Sequence, residues 1–185
     1  NSKEDELDSG RIDIIWNGLD ITPERKERIL YSKPYMDNRQ ILLVQKDNDQ
    51  GIRSENDLEG KIVGTQAGST AETYFLQNTA LKNHFKDFKT YVKFSDLLNA
   101  LKSNVIDVIV CDEMIARYEI NANPNQYEII NVQTGFVTEM AIGFRKEDVQ
   151  LRDKVQAAFD DMVKDGTAKE ISEKWFQADL IKSRR

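Results

Sequence analysis

The sequence predicts an α/β chain with a largely parallel sheet, folded as two lobes. Three observations lead there. Short apolar runs alternate with helix-like stretches, the order that builds strand–helix–strand units. Val105 to Cys111 is continuously apolar apart from Asp107, as strands covered on both faces are. A pattern near the start, Leu7-x-Ser9-x-x-Ile12-Asp13-x-Ile15, returns with a shift of 94, Asp13 to Asp107, as Leu101-x-Ser103-x-x-Ile106-Asp107-x-Ile109. Helix end, turn and buried strand recur together, so a second lobe of similar fold is expected. Gly18 and Asp112 correspond under this shift, both at carboxyl ends of equivalent strands, where open α/β sheets place their ligands.

In chain order, Asn1 to Leu7 reads as the end of a helix, Ser9-Gly10 as its stop and Arg11 to Trp16 as a strand. Thr22-Pro23 starts a helical turn, an N-cap followed by a residue whose fixed φ suits the first helical position. The chain then passes through Tyr31 to Tyr35 into a strand, Gln40 to Lys46. After a polar connector, Ser54-x-x-Asp57 can start a single turn. Lys61 to Gln66 is a strand, Ala67-Gly68 a turn, and Ser69-x-x-Glu72 a capping box opening a helix. Tyr91 to Phe94 is a short strand, Ser95 caps a helix to Lys102, and the Val105 run follows. A helix over about Glu113 to Asn121 and strands at Tyr127 to Val132 and Met140 to Lys146 come next. The tail is two amphipathic helices, about Val149 to Lys164 and Thr167 to Phe176, parted by Asp165-Gly166. Thr167-x-x-Glu170 reads as a second capping box.

The 185 residues are 39% apolar and 31% charged with net charge −6, enough for one large or two small domains. The acidic balance argues against a nucleic-acid partner, which needs a basic face. The single cysteine, Cys111, excludes an intramolecular disulfide and reads as a small core residue. The single histidine, His84, gives a histidine metal cluster or a Ser-His-Asp triad little support. No segment approaches transmembrane length. The chain lacks an initiating Met and opens mid-pattern, so a fragment or trimmed chain is expected.

The stretch Asn17 to Arg25 draws most attention. Arg25 falls in a first helical turn, where the helix dipole disfavours a cation. Either it is a solvated surface arginine, or it leans over the end of the preceding strand and holds an anion such as a carboxylate. Gly18 lets a ligand approach the backbone, and Asp20 can accept from an ammonium. An arginine and an aspartate this close suit a zwitterion.

Ser9-Gly10-Arg11-Ile12-Asp13, Gly18-x-Asp20-Ile21-Thr22-Pro23-Glu24-Arg25 and Tyr31-Ser32-x-Pro34-Tyr35 together resemble the family 3 solute-binding proteins of bacterial amino-acid ABC importers. The resemblance runs on through Asp57-Leu58-Glu59-Gly60-Lys61-x-Val63-Gly64, Gly68-Ser69-Thr70-Ala71-Glu72 and Val105-x-Asp107-x-x-x-x-Asp112, and closes with Asp165-Gly166-Thr167, Ile171 and Lys174-Trp175-Phe176. It implies a two-lobed fold of the periplasmic-binding-protein type II, with residues 1–47 and 140–185 in lobe 1 and 48–139 in lobe 2. It further implies that roughly 50 residues of lobe 1, two strands and a helix, precede Asn1. The strand Arg11 to Trp16 would then present an unpaired edge able to recruit another chain, and amino-acid affinity would be reduced.

By the same resemblance, the α-carboxylate of an amino acid is held by Arg25 and by Ser69 and Thr70. The physics agrees: Gly68 permits close approach, and Ser69 and Thr70 open a helix whose N–H groups favour an anion. The α-ammonium is held by Asp112 and by the backbone at Gly18; Asp112 as a plain N-cap is the alternative. Asp20 stands where serine or threonine is usual, and must turn toward the ammonium or pair with Arg25. Gln66 is expected to face the ligand side chain. Glu139 and Trp16 can reach the cleft, core packing being the favoured role for Trp16, while Asp13 and Asp107 read as structural. No catalytic residue, cofactor or metal is expected. The implied function is capture of a polar α-amino acid between lobes that close about segments near Lys46 to Asn48 and Thr138 to Ala141. The ligand would be passed to a membrane permease, with the protein outside the cytoplasm or on a lipid anchor absent from this chain. The alternatives are a prephenate- or arogenate-type dehydratase on the same scaffold, with Asp20, Asp112 or Glu139 as general acid, and a ligand-sensing domain of a membrane receptor.

Overall fold

The structure, a computed structural model, describes residues 3–47 and 50–182. Its helices are α1 (Lys3–Asp8), α2 (Pro23–Arg28), α3 (Thr70–Gln77), α4 (Thr79–Lys82), α5 (Phe94–Lys102), α6 (Glu113–Ala122), α7 (Val149–Asp165) and α8 (Thr167–Phe176). The strands are β1 (Ile29–Tyr31), β2 (Met36–Asn38), β3 (Gln40–Gln45), β4 (Ile62–Gln66), β5 (Asp87–Tyr91), β6 (Val108–Asp112), β7 (Tyr127–Ile130), β8 (Thr138–Met140) and β9 (Gly143–Arg145). The chain divides into two compact units, residues 1–38 with 138–185 and residues 39–137. It crosses between them twice, after β2 and before β8.

The first unit is built on the segment Thr138–Arg145, which pairs on both sides. β9 is antiparallel to β1 and β8 to β2. On the other side Ile15 exchanges both main-chain bonds with Gly143, each 2.9 Å, and Asp20 bridges to Met140. The expected strand Arg11–Trp16 is therefore reduced to a bridge at Ile15. Ile15 to Asp20 is five steps against three from Gly143 to Met140, so two extra residues bulge out. Gly18 (φ 74°) turns this bulge and Trp16 is left 49% exposed on it. Trp16 still packs edge-on to Tyr35 and Phe159, at ring centroid distances of 6.3 and 6.1 Å. Leu7, Ile15, Leu19 and Ile29 form the core beneath. The sequence missed β1 and β2, three residues each, whose partners lie 100 or more positions away. Thr22 caps α2, its hydroxyl accepting from the Arg25 N–H at 3.3 Å.

The second unit is a five-stranded sheet of order β5-β4-β6-β3-β7. β5, β4 and β6 are parallel, and β3 runs antiparallel between β6 and β7. Gln40–Gln45, expected with the first lobe, is thus an inner strand here, because its apolar run Ile41 to Val44 is covered on both faces. The crossing expected at Lys46 to Asn48 falls after that strand, inside this unit, with Asn48 outside the described residues. The strand expected at Tyr91–Phe94 lies four residues earlier, as β5, an edge strand too polar to show a period. Across the 94-residue shift the local bonding repeats. Gly10 N–H donates to Leu7 O and Asn104 N–H to Leu101 O, both at 3.1 Å, and Gly10 and Asn104 are both left-handed (φ 73° and 56°). The second capping box is not formed: Gly166 (φ 92°) precedes α8, and Asp165 Oδ1 accepts from the Thr167 N–H at 2.9 Å.

Candidate functional site

In the second unit β4 and β6 are parallel neighbours, so their carboxyl ends open at the same edge of the sheet. β4 leads through Gly68 (φ 74°) into α3. Ser69 Oγ accepts from the Glu72 N–H at 3.2 Å, and Glu72 Oε2 reaches back to the Gly68 N–H at 2.6 Å. The box of the sequence is formed, displaced by one residue at its return bond, because the Ser69 N–H is taken by Gln66 O. Thr65, fully buried, donates to Val110 O at 2.8 Å and stands 3.2 Å from Ser69 Oγ, which ties the α3 loop to β6. Thr70 is the first residue of α3. A helix start, with its partial positive charge, is thereby held beside the end of β6.

β6 ends in Asp112. Its side chain makes no capping bond to α6 among the described residues. Instead Oδ1 accepts from Gln40 Nε2 of the adjacent β3, at the register pair Gln40–Asp112. The capping role is taken by backbone: Glu113 N–H donates to Arg39 O at 2.8 Å. Glu113 itself is buried between two guanidiniums, 2.7 Å from Arg39 and 2.8 Å from Arg117. Gln66 donates through Nε2 to Val92 O at 3.1 Å, which ties it to the chain beyond β5. Asp107 is structural: Oδ2 accepts from the Ile62 N–H at 2.7 Å while its own N–H donates to Ile62 O.

In the first unit Arg25 is already engaged. Nε donates to Glu4 Oε1 at 3.0 Å and Nη1 to Asp20 O at 3.3 Å; Nη2 has no hydrogen-bond partner among the described residues. Burial opposes the charge on Glu4, but its own main-chain N–H and the Arg25 guanidinium outweigh this and hold its carboxyl below the usual glutamate range. Burial pushes the neighbouring Tyr31 phenol up to about 12, and its hydroxyl donates to Asp20 O at 3.3 Å. Asp20 does not pair with Arg25 through its carboxylate. Oδ1 accepts from Asn38 Nδ2 at 3.0 Å and Thr138 Oγ1 at 2.7 Å, while Gly18 lies on the bulge two residues before it. Glu139 is held by Lys182 Nζ at 2.5 Å, which also binds Asp37 at 2.7 Å.

Arg25, Asp20 and Gly18 are thus close together in one unit, and Gly68, Ser69, Thr70 and Asp112 share one sheet edge in the other. Sequence reasoning missed Glu4, Asn38, Gln40 and Thr138. Only Gln40 left a signal, a polar residue heading the run Ile41 to Val44.

Two α/β units that share one folded motif, joined by two crossings of the chain, define the periplasmic-binding-protein class. The chain belongs to the bacterial extracellular solute-binding proteins, family 3, matched over residues 1–178. It is 33% identical over 176 residues to the L-cystine-binding protein of Escherichia coli (strain K12), a match covering 95% of this chain and 64% of that protein. It is 32% identical over 179 residues to the arginine-binding extracellular protein of Bacillus subtilis (strain 168), covering 95% and 68%. Among solved structures, an ABC uptake transporter substrate-binding protein from Streptococcus pneumoniae with bound histidine superposes with TM-score 0.81 at 38% identity, covering 98% of this chain and 74% of that one. An ancestral amino-acid-binding protein described as a precursor of cyclohexadienyl dehydratase matches with TM-score 0.75 at 30% identity, covering 94% and 72%. The two relatives compared by sequence are both named as binding proteins. No described helix is long and apolar enough to cross a membrane.

Proposed function

We propose that this chain recognises a polar α-amino acid outside the cytoplasm and hands it unchanged to an ABC importer. One observation carries the reading: the start of α3 and Asp112 lie at the carboxyl ends of parallel neighbouring strands. One favours an anion and the other a cation, the two ends of a zwitterion.

On this reading Ser69 and Thr70 receive the α-carboxylate, with Gly68 giving the backbone clearance, and Asp112 neutralises the α-ammonium. Arg25 adds a charge-assisted bond to the same carboxylate. Gly18 and Asp20 serve the ammonium end, and Gln66 the ligand side chain. The relatives named for cystine and arginine and the structure holding histidine support a polar side chain. Each carboxylate that could have served as a dehydratase acid is engaged as an acceptor, Asp112 by Gln40, Asp20 by Asn38 and Thr138, and Glu139 by Lys182. That arrangement suits charge pairing. Equilibrium dialysis against a panel of α-amino acids tests the proposal: at least one polar member is retained and recovered chemically unchanged. Retention of none, or conversion of prephenate or arogenate by the protein, would overturn it.

A further inference from the structure

Gln40 is an unusual residue to bury. It heads β3, is 0% exposed, and is followed by four apolar residues, Ile41 to Val44. Its Nε2 donates to Asp112 Oδ1. Its other amide atom, Oε1, is buried without a hydrogen-bond partner among the described residues. A buried carbonyl left unpaired is costly, and native structures rarely leave one without a reason. The two ends of the amide are fixed relative to each other, because only the NH2 end can donate to a carboxylate. Oε1 therefore stands as a second acceptor next to the carboxylate of Asp112, on the neighbouring strand at the paired position.

We propose that Gln40 is a specificity-determining residue. Its NH2 orients the Asp112 carboxylate, and its carbonyl is a second acceptor that the primary ammonium of the ligand satisfies. This rests on the reading of Asp112 as the ammonium partner. A primary ammonium carries three N–H donors, so a carboxylate with a neutral carbonyl beside it matches it better than a carboxylate alone. The same pair disfavours ligands that lack the ammonium, since they leave Oε1 orphaned. Gln40 thus selects α-amino acids over their deamino analogues through an atom that no described residue pairs.

The test is calorimetric titration of wild type and Gln40→Leu with the amino acid retained in dialysis, and with its deamino analogue. The expected result is a loss of about tenfold or more for the amino acid and a change of less than about twofold for the analogue. The Asp112→Asn background should shrink the effect of Gln40→Leu, because the two residues act on one group. Equal losses for both ligands, or no loss for either, overturns the proposal. Should Gln40→Leu not fold, nuclear magnetic resonance on the wild type decides: the Gln40 side-chain NH2 resonances move on adding the amino acid and stay in place with the analogue. Movement with both, or with neither, overturns it. A wild type that binds no amino acid defeats the reading of the whole site, whereas a binding wild type with an unchanged variant defeats Gln40 alone.

Discussion

Asp13 and Asp107 occupy the same place in the repeated motif, yet the structure predicts very different costs for removing them. Asp107 extends the β4–β6 ladder by one rung, its carboxylate standing in for a main-chain carbonyl opposite Ile62. Oδ1 also accepts from Gln50 Nε2 at 3.1 Å. Asp107→Ala strands the half-buried Ile62 N–H, and a hydrogen bond to a charged group contributes about 1.5–3 kcal/mol. With a urea m-value of about 2 kcal/mol/M for a chain of this size, the midpoint should fall by about 1 M. Asp13 is 76% exposed in its side chain and, among the described residues, pairs only with Arg145. Arg145 keeps Asp148 at 2.7 Å and Ile12 O at 2.8 Å without it. Exposed pairs of this kind contribute little, so Asp13→Ala should leave the midpoint within error. The assay is urea unfolding followed by far-UV circular dichroism, because both tryptophans, Trp16 and Trp175, lie in the first unit. Amide exchange at Ile62 gives a local check. Equal midpoint shifts for the two variants, or unchanged protection at Ile62 in Asp107→Ala, would refute the reasoning.

Gly143→Ala should destabilise the first unit by about 1–3 kcal/mol. The new Cβ would lie 2.6 Å from Leu19 Cδ2 and 3.1 Å from Ile29 Cγ2, and tryptophan fluorescence during unfolding reads the loss. Lys182→Ala should speed exchange of the main-chain N–H at position 182, which donates to Tyr35 O at 2.8 Å, while leaving the global midpoint nearly unchanged. Hydrogen bonds donated to Asp37 and then Glu139 raise the pKa of Lys182, so this clasp is intact below the ordinary lysine value and opens as pH rises through the higher folded value. The Glu4–Arg25 pair behaves in the opposite sense. The lowered carboxyl of Glu4 stabilises the fold above the ordinary value of 4.5 and loses that contribution as pH falls through the folded value. Glu4→Gln should flatten this acid limb in thermal melts at graded pH, and an unchanged limb would contradict the pairing.

Much of the second unit was legible because its signals are local. Val105 to Cys111, the Ser69-x-x-Glu72 box and the Ala67-Gly68 turn each declare themselves within a few residues. The repeat carried this further, down to left-handed residues at both Gly10 and Asn104. What failed to show in sequence depends on distant partners. β1, β2 and β8 are three-residue strands that exist only because Thr138–Arg145 pairs on both sides, and Trp16 leaves the sheet because of a register mismatch. Asp20, Asp112 and Arg25 stood out as charges at strand ends. Their partners Asn38, Gln40 and Glu4 did not, since an amide or a helical glutamate acquires its role only from the residue folded against it.

The most direct measurement of the central claim is a titration of one polar α-amino acid and its deamino analogue into wild type, Arg25→Ala and Asp112→Asn. If Arg25 holds the carboxylate that both ligands share, as proposed, its removal should weaken both by about tenfold or more. Removing the charge of Asp112 should weaken the amino acid to a similar degree and spare the analogue, because only the amino acid brings an ammonium. Equal losses for both ligands in Asp112→Asn, or full affinity in Arg25→Ala, would contradict the account.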